Sequence, residues 1–230
     1  MSDIKDDTSK YKIYNLGNIV GLATGGIVAK NFLKTKSENI PQIRESMNTI
    51  IRTTPVLQDN DVHLKDISIF GTPAYYGINS KTVAVNMKKN PLAGFHEIGH
   101  AYIFNKYPIM SYIPENKKLY ALSIIAILSP LIVSLAGKYI KNEKVKDRIS
   151  DIAPCIAGGI WLPTIVNEAA ATIKGAQLAK PLLNKKLYRR MNTGNIAALS
   201  TYIFTASTFF VVTKGMQKLS EVLKEKDYTE

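Results

Sequence analysis

Two of the chain's three histidines, His96 and His100, stand four residues apart, with Glu97 directly after the first. On a helix that spacing stacks both imidazoles one turn apart on one face, where they can reach a single metal ion. Zinc accepts imidazole nitrogen at about 2.0–2.1 Å and keeps one position open for water in catalytic sites. Glu97, beside the same face, can take a proton from water and pass it to a leaving amine. The chemistry this implies is zinc-dependent hydrolysis of a peptide bond, with Glu97 as general base. Gly99 permits close backbone approach on the inner side of the motif, and Ala101 keeps the next position small. His63 stands alone in an alternating segment and reads as structural or surface.

The elements that must hold this motif fall into two kinds. Four stretches carry no charge: Ile13 to Ala29, Leu119 to Gly137, Ile152 to Asn167 and Met191 to Thr213. A bilayer core of about 30 Å needs about 20 helical residues. The second and fourth stretches meet that length. The first is glycine-rich (Gly17, Gly21, Gly25, Gly26), a spacing suited to close packing of membrane helices. The third is short and interrupted by Pro154, Gly158, Gly159 and Pro163. Between Lys30 and Tyr112 the chain reads instead as water-soluble. Apolar spacing predicts a helix from Ile40 to Arg52, with Pro41 in its first turn. Alternation predicts strands at Val62 to Leu64 and Ile67 to Phe70. Ala74 to Ile78 and Lys81 to Asn86 read as a hairpin turning at Asn79-Ser80. Asn90 and Pro91 then open the motif helix, which runs to about Asn105. The implied segments are 1–36 (tail and membrane helix), 37–112 (catalytic segment), 113–190 (membrane helix pair and glutamate helix) and 191–230 (last membrane helix and charged tail).

Catalytic zinc takes three protein ligands, and no histidine follows His100. The third should therefore be a carboxylate: Glu115, Glu143, Asp147, Asp151 or Glu168. Glu168 is followed by three alanines, small enough for a close helix approach. If the second and third apolar stretches cross out and back, Glu168 returns to the side of the motif.

The run from Val166 to Gly175, with Asn167-Glu168 at its heart, resembles the glutamate helix of gluzincin metallopeptidases. The order of histidine motif, two membrane helices and glutamate helix is similar to the membrane gluzincins of the CAAX-prenyl endopeptidase and heat-shock protease group. The resemblance spans roughly Tyr75 to Gly175. It implies an α+β, mainly helical fold, in which membrane helices join a small zincin-like domain with a short β-hairpin sheet and the HExxH helix. It also implies that Glu168 completes the zinc site with His96 and His100, and that Thr82 to Asn86 is an edge strand for an extended peptide. The chain departs from the family at Thr172, where many members carry an aspartate supporting a zinc-bound histidine. Tyr75, Tyr76, Tyr188, Arg189 and Arg190 are all candidates for stabilising an oxyanion.

A formal charge of +12 suits nucleic acid or an anionic membrane. Here the lysines flank apolar stretches rather than forming an aromatic-studded block, so the expected partners are membrane lipid and a peptide or protein substrate, not nucleic acid. The active site leans to the cytoplasmic side. Cys155, the single cysteine, excludes an internal disulfide and reads as a small buried hydrophobe. Two other readings stand beside the peptidase. One is a site-2-type intramembrane protease, although Asp151-Ile152 lacks that group's Asp-Gly pair. The other is a non-catalytic membrane scaffold retaining a zinc site.

Overall fold

The computed structural model describes residues 25–29, 31–68, 74–112, 116–135 and 143–227. The chain is mainly helical with one small sheet, and it divides into two compact units. Residues 24–113 and 164–201 form one; 1–23, 114–163 and 202–230 form the other. Most of the first apolar stretch, Ile69 and Phe70 of the second expected strand, and Glu115 lie outside the described residues.

In the first unit, the helix Ile40–Thr53 carries Pro41 in its opening turn and buries Ile43, Met47, Ile50 and Ile51 on one face. Three strands follow: β1 (His63–Asp66), β2 (Ala74–Gly77) and β3 (Thr82–Val85). β2 and β3 form the expected antiparallel hairpin, with Gly77 opposite Thr82. The turn closes through Lys81, which takes a left-handed φ of 50°.

Two strand expectations change. The alternating residues from His63 form a single strand that ends at Asp66, so Ile67 and Ser68 lie past it; the Ile67 amide still donates to the Val85 carbonyl at 2.9 Å. β3 is not an edge strand. It pairs in parallel with β1 and antiparallel with β2, and all four of its residues are buried. Both sides of its backbone are used, so Thr82 to Asn86 cannot receive a peptide strand. His63 is structural as expected: its Nε2 lies 2.9 Å from Thr82 Oγ1, which donates in turn to the Ser80 carbonyl.

The motif helix spans Gly94–Lys106 after a short 3-10 turn at Pro91–Ala93. It ends where the Tyr107 amide donates to the Ile103 carbonyl and Pro108 follows. Phe95 and Ile98 are fully buried among Met47, Val83, Val85, Leu187 and Met191. Each such side chain contributes roughly 1.5–3 kcal/mol of burial. The glutamate helix runs Leu162–Ala179. A Cβ on Gly99 would strike the Ala171 carbonyl, and one on Gly175 would strike the Phe95 carbonyl. The two backbones therefore cross in direct contact, each glycine seated on the other helix. Gly25 packs likewise onto the last helix (Lys185–Asp227), where a Cβ would lie 3.2 Å from the Ala197 carbonyl.

In the second unit, the helices Asn116–Leu135 and Glu143–Gly159 are joined at Ser123. Its hydroxyl accepts from the Trp161 indole at 3.0 Å and lies 3.4 Å from the Ala157 carbonyl. Trp161 stacks on Phe209. Glu143 and Asp147, two of the candidate carboxylates, lie on the helix Glu143–Gly159. The third apolar stretch is broken by a turn at Ile160–Trp161, between paired glycines and Pro163, which sits in the first turn of the next helix, where its missing N–H costs nothing. Cys155 is exposed rather than buried, on a helix whose Ile152 and Ile156 are exposed too. Among the described residues, Asp147–Ala179 and Lys185–Val222 are long and apolar enough to cross a membrane.

The glycine crossing sets a stability prediction. Gly175→Ala should gain about 1 kcal/mol in helix propensity yet lose more to overpacking against backbone that cannot rotate aside. The expected net loss is about 2 kcal/mol. Gly215, with open space around it, should tolerate alanine and gain stability. Denaturant midpoints of the two variants check this.

Candidate metal centre

The crossing brings the motif helix and the glutamate helix together at His96, His100 and Glu168. His96 Nε2 lies 3.0 Å from Glu168 Oε2 and 3.1 Å from His100 Nε2, and His100 Nε2 lies 3.5 Å from Glu168 Oε1. Two ligands about 2.05 Å from a tetrahedral zinc sit about 3.3 Å apart, so these separations are compatible with one coordination shell. All three ligand atoms fall within 4.8 Å of one another. The side chains retain 16%, 9% and 15% exposure respectively, so the site is sheltered but open to a small molecule.

The hydrogen bonds around His96 fix its role. Its Nδ1 faces Thr172 Oγ1 at 3.1 Å, one turn past Glu168 on the same helix. Donating there makes Nδ1 the protonated nitrogen and leaves a lone pair on Nε2, pointed at a carboxylate oxygen and a second imidazole nitrogen. Three such atoms facing one another could hold a metal ion, or share a proton among them. Thr172 thus accepts that hydrogen bond through a neutral hydroxyl, which orients the ring without adding charge.

Burial opposes protonation of His96, but the hydrogen bond its protonated ring donates to Glu168 and the charges of Glu97 and Glu168 outweigh it, raising its pKa above the ordinary 6.5. His100 packs edge-on to His96 and against Phe104. Its Nδ1 is buried without a partner among the described residues, an unsatisfied group that costs about 1–3 kcal/mol. No sequence signal pointed to this asymmetry between the two histidines.

Other candidates go elsewhere. Among the described residues, Glu168 is the one acid that joins the histidines. Asp151 accepts from Gln217 at 3.2 Å. Of the oxyanion candidates, Arg190 donates to the Asn31 and Lys34 carbonyls at 3.1 and 2.9 Å and so serves the scaffold. Tyr76 accepts from Asn105 on the motif helix at 2.9 Å, and burial pushes its hydroxyl pKa up. Its proton remains available to donate. Tyr75 is exposed, on β2.

No protein-family model, no curated protein and no solved structure matches this chain.

Two outcomes follow from the hydrogen bonds at His96. Thr172→Val, which removes the hydroxyl and little volume, should weaken zinc binding about 10- to 100-fold, while Thr172→Ser retains it. Competition with a chelating dye measures both. The raised pKa of His96 works in opposite directions with and without metal. In the metal-free protein, protonated His96 adds stability that is complete below pH 6.5 and lost as pH rises through the folded pKa. With zinc, a proton competes for Nε2, so acidification through the same window should lower the melting temperature. Thermal melts in chelator and in zinc should therefore slope oppositely with pH.

Proposed function

We propose that the chain is a membrane-attached zinc endopeptidase in which His96, His100 and Glu168 hold the metal and Glu97 is the general base. The convergence of three ligand atoms from two helices, with His96 oriented by Thr172, carries this reading. The residues fit zinc by chemistry as well as distance: two imidazoles and one carboxylate are the ligand set of a catalytic site with an open position. Zinc, when bound, lowers the pKa of water and polarises a carbonyl oxygen.

The chain's own groups do the rest. Glu97 accepts a proton on its carboxylate and delivers it to the leaving amine nitrogen. Its half-buried position keeps that proton from exchanging freely with solvent. Thr172 holds the His96 ring in one tautomer and one orientation. The Tyr76 hydroxyl, which accepts from Asn105 on the motif helix, is the donor this reading assigns to developing negative charge. β2 pairs on one side only among the described residues, so its outer edge can align an extended peptide through backbone hydrogen bonds.

Membrane attachment rests on the two membrane-length segments and on their exposed apolar side chains, including Ile152, Ile156, Val166, Ile196 and Ile203. Lipid is the solvent in which such a surface costs nothing. The basic residues flanking these segments favour a cytoplasmic active site.

A scaffold that binds zinc without catalysis is the competing reading, favoured by the uncharged support at Thr172. One experiment separates the two. Glu97→Gln should retain zinc at wild-type stoichiometry and lose at least a hundredfold in cleavage of a peptide library, in keeping with the 10²–10⁴-fold typical of general-base catalysis. Undiminished cleavage by this variant would exclude Glu97 as the base. Wild-type protein with full zinc and no cleavage would favour the scaffold.

A further inference from the structure

Away from the metal centre, two cavities of about 370 and 420 Å³ adjoin at Lys186 and Arg190, at the start of the last helix. Their walls hold six cations: Lys34, Lys36, Lys185, Lys186, Arg189 and Arg190. A single carboxylate, Glu38, lies among them, and it pairs with Lys36 at 3.8 Å. Among the described residues, no ion pair engages Lys34, Lys185, Lys186 or Arg189.

The cavities are built rather than incidental. Arg190 clamps the loop after residues 31–33 onto the last helix through two carbonyls, and Leu33 packs on Gly194. The Nε of Arg190, one of the two residues the cavities share, is left buried without an acceptor among the described residues. Two features set the ligand's nature. The charge and the orphan donor call for a phosphate oxygen. Phe32 lines one cavity and is 37% exposed, and Val28, four residues earlier, is exposed as well, so apolar surface continues directly from the basic one. The membrane-length segment Lys185–Val222 begins at the same place.

We infer that this paired cavity holds the phosphate headgroup of an anionic phospholipid, with an acyl chain running along Val28 and Phe32. A soluble phosphate compound would use the cations and leave the apolar strip without purpose. The inference rests on the proposed membrane attachment but not on the zinc chemistry. Each basic residue near an anionic surface contributes on the order of a fivefold preference, so removing three costs on the order of a hundredfold.

The test uses the full chain in detergent, with native mass spectrometry counting bound phosphatidylglycerol against phosphatidylcholine. Wild-type protein should retain phosphatidylglycerol selectively. Lys185→Gln/Lys186→Gln/Arg189→Gln should lose that selectivity by about a hundredfold, and Lys65→Gln/Lys88→Gln, outside the cavities, should keep it. If the triple variant loses its helical circular dichroism, Lys34→Gln/Lys36→Gln on the facing wall replaces it, with on the order of a tenfold loss expected. Equal retention of both lipids, an equal loss in the control variant, or full displacement by inorganic phosphate would each overturn the proposal. Alkaline carbonate washing of membranes keeps the two readings apart. Release of the chain defeats membrane attachment, whereas retention without lipid selectivity defeats the headgroup site alone.

Discussion

Three lone-pair donors cannot share a sheltered space at about 3 Å without positive charge between them. His96 Nε2, His100 Nε2 and Glu168 lie at that separation. Placing a carboxylate there without compensation would cost several kcal/mol in desolvation. A proton shared between His96 and Glu168 meets part of the demand, which is the physical origin of the raised imidazole pKa. A divalent ion meets all of it. Much of the first unit can be understood as what keeps these atoms in place. The helix Ile40–Thr53 and β3 back the motif helix, Thr172 turns one ring, and the two glycines let the helices meet.

The parts of this centre that were legible in the sequence are those written in local spacing. The interval from His96 to His100 fixes two ligands on one helical face. The hairpin was readable from two alternating runs around Asn79-Ser80, and the opening of the helix at Ile40 from Pro41. Glu168 came forward from a resemblance rather than from spacing, 68 positions beyond His100, and the fold brings it to the two histidines.

What could not be read was decided by pairing at a distance. Whether β3 lies at an edge depends on β1 returning to its far side in parallel, which no property of Thr82 to Val85 encodes. The exposure of Cys155 depends on which face of its helix meets Ser123, and that pairing with a separate helix is not written in the residues around the cysteine. The basic cavity joins residues 34–36 to residues 185–190, lysines that looked like ordinary flanking charge in each place. Thr172 was noticed as a departure, yet only geometry shows that its neutral hydroxyl meets the His96 ring.

The contact of Gly99 and Gly175 with opposing carbonyls has a mechanical consequence. Side chains between helices act as springs, with rotamers that give under load; here no spring is interposed. Hydrostatic pressure acts on proteins by eliminating internal voids, and a backbone-on-backbone seam offers almost none. The ligand cage should accordingly be among the least compressible regions of the molecule. A spectroscopic ion such as Co²⁺ held there would keep its absorption bands fixed under compression that visibly shifts the tyrosine signals of the surrounding fold.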